Sequence, residues 1–225
     1  MLPIGDDNSR RRTFPSVTYT LVALNVIVFL VELGQPDPQA YLARWGATPS
    51  QVSAGQSLVT LVTSMFLHAG WAHLLGNMLF LFIFGDNVED AFGHFKYLAF
   101  YLACGIAAAL AQVALAPGSR VPSLGASGAI SGVLAAYIVM FGNNRVRVLL
   151  GFFPAVVPAY VMIGLWIVLQ FVLGAASLGS TQQSGGVAYG AHVGGFLCGL
   201  LLTFVLRPSR RSARRQALRP YDRRW

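Results

Sequence analysis

A serine and a histidine carry the chemistry that this sequence offers. Ser127 stands in "GASGAISGVLAAY" and His192 in "AYGAHVGGFLCG", while "HAGWAHLLGN" supplies His68, His73 and Asn77. A neutral imidazole next to a serine hydroxyl can accept the hydroxyl proton and later return it to a leaving group. The residue types therefore indicate acyl transfer by an activated serine, provided that the fold brings the two side chains together.

All of these polar residues lie in or beside apolar segments. The chain has 225 residues, of which 55% are hydrophobic and 11% charged, and its mean hydropathy is +0.59. This composition excludes an ordinary soluble domain and predicts an integral membrane protein. Six apolar runs are each close to the roughly 20 residues that a spanning helix needs. They lie at about 16–34, 72–85 with an upstream extension from Leu58, 95–116, 124–142, 152–178 and 187–206.

The positive charges alternate with these runs. Of the 16 Lys and Arg, only Arg44 and Arg120 fall on one side of the predicted membrane, and the other 14 fall on the opposite side. The positive-inside rule then places both termini in the cytoplasm. We expect an all-α bundle of six transmembrane helices (16–206) with an outer loop at about 34–57, between a cytoplasmic segment 1–15 and a basic cytoplasmic tail 207–225. The tail is interpreted as a topology anchor that contacts membrane lipid, and not as a nucleic-acid arm.

This topology predicts that His73, Ser127 and His192 lie at the same depth in the membrane. The second, fourth and sixth spans run from outside to inside, and their first turns hold His73, Ser127 and His192. Gly128 and Gly132 lie four apart on the fourth span, as do Gly195 and Gly199 on the sixth. Such small-residue faces let two helices approach closely, so we expect the fourth and sixth spans to meet there and to bring the serine to the histidine.

The sequence offers neither a carboxylate that could complete a catalytic triad nor a set of metal ligands at this site. All acidic residues except Glu32 and Asp37 fall outside the predicted outer half, so the sequence predicts a Ser–His dyad, not a triad. Donors for an oxyanion are at hand, because Ser127 lies near a helix N-terminus, where backbone N–H groups are unpaired. His73 and Asn77, at i and i+4, share a face of the second helix and can supply side-chain donors.

The sequence resembles the rhomboid intramembrane serine proteases. "GASG" matches the family's GxSG, "AHVGGFLCG" matches its AHxxGxxxG, and "HAGWAHLLGN" matches its HxxxxHxxxN, in the family's order along the chain. The resemblance implies Ser127 as nucleophile and His192 as base. It also implies His73 and Asn77 as oxyanion-hole side chains, with Gly125 shaping the turn before the serine.

The resemblance also implies roles outside the chemistry. His68 corresponds to a structural histidine, and Glu89 and Gly93 to residues that tie a loop together. The family implies the basic six-helix form, no cofactor, transmembrane proteins as substrates and, for this chain, a bacterial inner membrane. Two positions depart from the family: Val59-Thr60 stands where a Trp-Arg pair is common, and Ser131 where a tyrosine is common.

Three other readings compete with an active protease. A rhomboid-like protein without activity could bind and escort membrane proteins, although it would not need both Ser127 and His192. A channel or transporter predicts polar groups that continue inward, whereas "VLAAYIVMFG" and "LCGLLLTFVL" are apolar. A zinc protease would need a motif such as HExxH, which is missing. For an active protease, we expect the fifth span and the loop "STQQSGGVAYG" to gate the entry of substrate.

Overall fold

Six long apolar helices form the body of the described part of the protein. The computed structural model describes residues 1–9, 11–178 and 188–207. The long helices follow the six predicted runs to within a few residues, with two exceptions: the second long helix ends seven residues after its run, and the fifth begins seven residues after the start of its run. They are α1 (Ser16–Leu33), α5 (Trp71–Phe92), α6 (His94–Leu115), α7 (Ser127–Phe141), α8 (Ala159–Leu178) and α9 (Tyr189–Leu206).

Not all of these helices are long enough to cross a membrane by themselves. Three of them, α1, α6 and α9, satisfy length and hydropathy criteria, and α5 does so together with the short helices before it. Helix α7, with 15 residues, and the stretch Ala159–Ala175 of α8 are apolar but shorter than these helices. Several membrane spans are therefore present, whereas the count of six spans stays a prediction.

The segment between α1 and α5 contains short helices. Helix α2 (Pro38–Trp45) has its N-terminus capped by Asp37, whose carboxylate accepts a hydrogen bond from Ala40 N at 3.0 Å. It is followed by α3 (Pro49–Ser53), α4 (Thr60–Thr63) and a 3₁₀ turn (Ser64–Phe66). The predicted extension of the second span from Leu58 is not one continuous helix with α5, because the chain bends by 94° between the short helices and α5, and the backbone at Leu67 is extended.

A three-stranded antiparallel sheet packs on the helices, and its presence was not predicted from the sequence. Its strands are β1 (Leu2–Gly5), β2 (Arg145–Leu150) and β3 (Phe153–Pro158), in the order β1-β2-β3. The fifth apolar run was expected to be helical from residue 152. Pro154 and Pro158 prevent this, because proline cannot donate to a helical ladder and clashes with the preceding turn.

The N-terminal segment is fixed to the body by side-chain hydrogen bonds. Asp6 Oδ2 accepts bonds from Asn87 Nδ2 at 2.7 Å and from the Tyr137 hydroxyl at 2.6 Å, and so joins α5 to α7. Arg11 forms an ion pair of 2.6 Å with the buried Asp86 of α5. The predicted segment 1–15 therefore packs on the ends of α5 and α7 through residues that the sequence analysis had left without a role.

Glu89 joins α1 to α5. Its buried carboxylate accepts hydrogen bonds from the backbone N–H groups of Val17 and Thr18 at 2.9 and 2.7 Å and from the Thr18 hydroxyl at 2.7 Å. His94 Nδ1 lies 2.6 Å from the same carboxylate. The unpaired donors of the first turn of α1 are thus satisfied by an anion, which the helix dipole also favours. The resemblance had implied a tied loop, whereas the element that Glu89 ties is the start of a helix.

Helices α7 and α9 meet along the predicted glycine faces. A Cβ at Gly195 would collide with the Gly128 carbonyl oxygen, and one at Gly199 would collide with the Gly132 backbone. Helix α6 packs on the same pair, because a Cβ at Gly132 would lie 2.5 Å from Cys104 Sγ. Only glycine allows the three backbones this proximity. Cys104 is buried and Cys198 is partly buried, both as free thiols.

Candidate active site

Ser127 is the first residue of α7. It follows Gly125, which has φ +114° and whose N–H donates to the Ser64 carbonyl oxygen at 2.8 Å. Residues with a side chain rarely adopt this backbone conformation. The turn therefore holds Ser127 at the N-terminus of a helix, where the first N–H groups have no partner within the helix.

His192 lies in the first turn of α9 and contacts Ser127. Its Nε2 is 2.8 Å from Ser127 Oγ. Its Nδ1 is 2.7 Å from Gln170 Oε1 on α8. The Trp166 ring of α8 lies beside the imidazole, with ring centroids 5.7 Å apart, and Tyr189 meets it edge-on at 6.5 Å. Three helices thus position one imidazole against one hydroxyl.

His73 and Asn77 project from α5 toward Gly125, close to the serine. A Cβ at Gly125 would lie 2.7 Å from His73 Nε2 and 3.6 Å from Asn77 Nδ2. Asn77 is 8% exposed, and its Nδ2 has no hydrogen-bond partner within the described residues. Ala69 N donates to His73 Nδ1 at 3.4 Å, an arrangement in which Nε2 carries the proton. Two side-chain donors therefore point at the space above the Gly125 turn.

These side chains line one cavity of about 580 Å³. Its wall includes the predicted site residues Ser127, His192, His73, Asn77 and Gly125. Among the described residues, no acidic side chain lines it, and no cluster of three or more His, Cys, Asp or Glu could bind a metal. The cavity can therefore offer a hydroxyl, a base and neutral donors to a polar group.

The two remaining polar residues of the motifs lie apart from this chemistry. His68 is fully buried, its ring 5.1 Å from that of His73, and its backbone N–H donates to Glu32 Oε2 at 3.3 Å. Ser131 is also fully buried, and its hydroxyl donates to the Ser127 carbonyl oxygen at 2.6 Å. Both side chains are therefore buried away from the cavity wall.

Sequence reasoning missed Trp166 and Gln170. A signal was present, because in the apolar stretch from Ala159 to Ala175 only Gln170, Trp166 and Tyr160 have side chains that can form conventional hydrogen bonds. A polar side chain in a membrane segment indicates a functional or packing role. Single-sequence periodicity could not show which neighbouring helix that side chain faces. The predicted gating loop falls mostly within 179–187, and the basic tail 207–225 falls within 208–225 except for Arg207, so both lie largely outside the described residues.

The fold and the site define a class of protein. This is a multi-pass helical integral membrane protein, with a serine and a histidine from two closely packed helices in one cavity.

Comparison with known proteins identifies the family. Residues 55–209 match the family model of the Rhomboid domain. Rhomboid protease AarA of Providencia stuartii is 31% identical over 215 residues, which cover 86% of this chain and 74% of that protein. Rhomboid protease GluP of Bacillus subtilis is 37% identical over 133 residues, which cover 58% of this chain and 26% of GluP. Rhomboid protein 1, mitochondrial, of Saccharomyces cerevisiae is 29% identical over 213 residues, which cover 92% of this chain and 58% of the yeast protein. The chain belongs to the rhomboid family.

The relatives differ in length from this chain. The matched region is about a quarter of GluP and little more than half of the yeast protein.

Proposed function

We propose that this protein is an intramembrane serine endopeptidase that cleaves membrane proteins within or next to a transmembrane segment. The observation that carries the proposal is the 2.8 Å distance between His192 Nε2 and Ser127 Oγ in the wall of a cavity. The names of the relatives AarA and GluP, both called rhomboid proteases, support the same reaction class.

Ser127 and His192 act as nucleophile and general base. His192 Nε2 accepts the hydroxyl proton while Ser127 Oγ attacks the scissile carbonyl carbon, which gives a tetrahedral intermediate. The imidazolium then returns the proton to the leaving amine, and an acyl-enzyme forms. A water molecule, deprotonated by the same imidazole, then attacks the ester carbon. The imidazolium protonates Ser127 Oγ as the ester bond breaks, which releases the carboxylic acid product and restores the serine.

The developing oxyanion is stabilised by donors of this chain. Asn77 Nδ2 and His73 Nε2 face the Gly125 turn, and the backbone N–H of Ser127 belongs to the unpaired first turn of α7. Donors that are already in place cost no reorganisation when negative charge forms on the carbonyl oxygen. The buried Asn77 Nδ2, which has no partner among the described residues, suits this role well.

Substrates are transmembrane segments that can unwind locally. An intact helix hides its carbonyl groups in its own hydrogen bonds, so a scissile bond must leave the helix before Ser127 can attack. We place the site near the outer face of the membrane, with six spans and both termini inside, on the strength of the charge distribution. The membrane in question is a bacterial inner membrane, a location that cell fractionation tests.

Helix α8 is the proposed gate for lateral entry of the substrate. It contributes Trp166 to the cavity wall and has the loop "STQQSGGVAYG" at its end. A cross-link between cysteines at facing positions of α8 and α5 should stop cleavage of a membrane substrate, and reduction of the cross-link should restore it. Unchanged cleavage in the cross-linked protein would exclude this gate.

Covalent labelling tests the proposed function. Purified protein is incubated with a fluorophosphonate probe and, separately, with a transmembrane substrate in proteoliposomes. The wild type and Ser131→Ala should be labelled and should cleave, whereas Ser127→Ala and His192→Ala should do neither.

Two results would contradict the proposal. Labelling that survives Ser127→Ala but is lost in Ser131→Ala would move the nucleophile to Ser131. A folded wild type that is neither labelled nor cleaves, but binds transmembrane proteins, would favour the inactive escort factor.

A further inference from the structure

Gln170 contacts the catalytic imidazole from a helix that carries no sequence motif. Its Oε1 lies 2.7 Å from His192 Nδ1, on the side of the ring opposite Ser127. The residue is 8% exposed and sits near the middle of α8. A buried polar side chain in an apolar helix costs free energy unless it is hydrogen-bonded, and the imidazole is the partner that satisfies it.

The contact decides which ring nitrogen carries the proton. An amide oxygen has no proton to donate, so His192 Nδ1 must be the donor to Gln170 Oε1. A neutral imidazole has one N–H, and Nε2 is then unprotonated. The unprotonated nitrogen is the one 2.8 Å from Ser127 Oγ, and only in this tautomer can His192 accept the hydroxyl proton.

Charge explains why an amide suits this position. In soluble serine hydrolases a carboxylate holds the histidine tautomer. Here no acidic residue of the described part of the chain lines the cavity, and an ionised carboxylate at membrane depth would be costly to bury. An amide oxygen fixes the tautomer and the ring orientation with a dipole, without the free-energy cost of a buried charge.

We propose that Gln170 is a positioning residue that holds His192 in the Nδ1–H tautomer, so that Nε2 can act as the base for Ser127. The proposal rests on the proposed function for its catalytic consequence. Trp166 lies one turn before Gln170 on the same helix and borders the imidazole with ring planes at 40°. The two residues together fix the plane of the ring from α8.

Three variants test the proposal. Gln170→Met keeps the length of the side chain but removes the oxygen acceptor. Gln170→Glu keeps an oxygen at the same position, whether or not it is ionised. Leu169→Met changes the neighbouring residue, which is 51% exposed on the outside of α8, and serves as the matched control.

The first readout is the tautomer itself. In ¹⁵N-histidine-labelled protein, the His192 signals are assigned from their absence in His192→Gln. The wild type should show a protonated Nδ1 and an unprotonated Nε2, and Gln170→Met should show a mixture of tautomers. A wild type with the proton on Nε2 would mean that the amide donates to the ring, and it would overturn the proposal.

The second readout is kinetic. Gln170→Met should lower kcat and the rate of fluorophosphonate labelling about tenfold or more, with KM unchanged, and Gln170→Glu should recover most of the loss. Rates and tautomers equal to those of Leu169→Met would overturn the proposal. If Gln170→Met fails to fold, the proposal is tested by the tautomer of the wild type and by the rate of Gln170→Glu. A proton on Nε2 in the wild type would still overturn it.

The two proposals fail in distinguishable ways. A wild type that is neither labelled nor active would refute the proposed function, whereas the nitrogen spectra would still show whether Gln170 sets the tautomer. Labelling and cleavage by a wild type with the wrong tautomer would refute the role of Gln170 alone.

Discussion

His192 Nε2 lies 2.8 Å from Ser127 Oγ although the two residues are 65 positions apart in the chain. The pair forms because α7 and α9 pack backbone to backbone at Gly128 and Gly195, one turn or less from the two side chains. The distance between the reacting atoms is thus set by a glycine contact. A change in that contact moves the histidine relative to the serine.

Gly195→Ala should therefore reduce both stability and activity. The added Cβ collides with the Gly128 carbonyl oxygen and forces the helices apart, at a cost of at least about 1–3 kcal/mol. A displacement approaching 1 Å at His192 should lower kcat by about 10²-fold. Thermal unfolding and cleavage rates check this. Gly164→Ala on α8, where a Cβ meets nothing within 4 Å, is the control and should behave like the wild type.

Asn77→Ala should reduce activity without reducing stability. Loss of one oxyanion donor costs about 10²–10³-fold in kcat, with little change in KM. Because Asn77 Nδ2 is buried without a partner among the described residues, its removal also relieves a desolvation cost, and the unfolding temperature should hold or rise. Leu75→Ala, on an exposed face of the same helix, is the control. Wild-type kcat in Asn77→Ala would remove this residue from the oxyanion hole.

Glu89→Gln should reduce stability and leave the chemistry intact. The glutamine amide has one acceptor oxygen where the carboxylate has two, and its NH₂ group would face the N–H groups of α1. We expect a loss of about 1–3 kcal/mol in the free energy of unfolding, and unchanged kcat in protein that is still folded. Asp90→Asn affects exposed bonds to Arg12 and Thr13 and should cost less. Equal losses in the two variants would contradict this role of Glu89.

The stability of the N-terminal segment should depend on pH through Asp6. Burial raises the pKa of Asp6 to about 6, the Tyr137 hydroxyl lowers it, and the nearby Asp86 raises it. The folded-state pKa of Asp6 lies above its unfolded value of about 3.9, so the folded protein holds the Asp6 proton more tightly than the unfolded chain does. Protonated Asp6 therefore stabilises the folded state. This contribution is complete below about pH 4 and is lost as the pH rises through about 6.

Asp6→Asn isolates this effect. The variant keeps an oxygen acceptor for Asn87 and Tyr137 but cannot ionise. The unfolding temperature of the wild type, minus that of the variant, should fall from pH 4 to pH 7 and then level off. A difference that is constant or rises over this range would contradict the raised pKa of Asp6.

Local sequence patterns predicted most of the helices and the members of the candidate site. Apolar runs of suitable length give helices, because the backbone must satisfy its own hydrogen bonds in lipid. The spacing of Gly195 and Gly199 showed where α9 presents a flat face, and polar residues in first turns indicated Ser127, His192 and His73. The roles assigned to these residues stay predictions until activity is measured.

Other features depend on which distant residues meet, and only the tertiary structure decided them. No periodicity relates Gln170 to His192, Asp6 to Tyr137, or Glu89 to the start of α1, because each contact joins separate elements. The β-sheet likewise pairs residues 2–5 with a segment more than 140 residues away. The sequence alone predicted the six long helices and the side chains proposed to react, since those properties are local. The structure determined the partner of each polar atom, since a hydrogen bond is set by proximity in space.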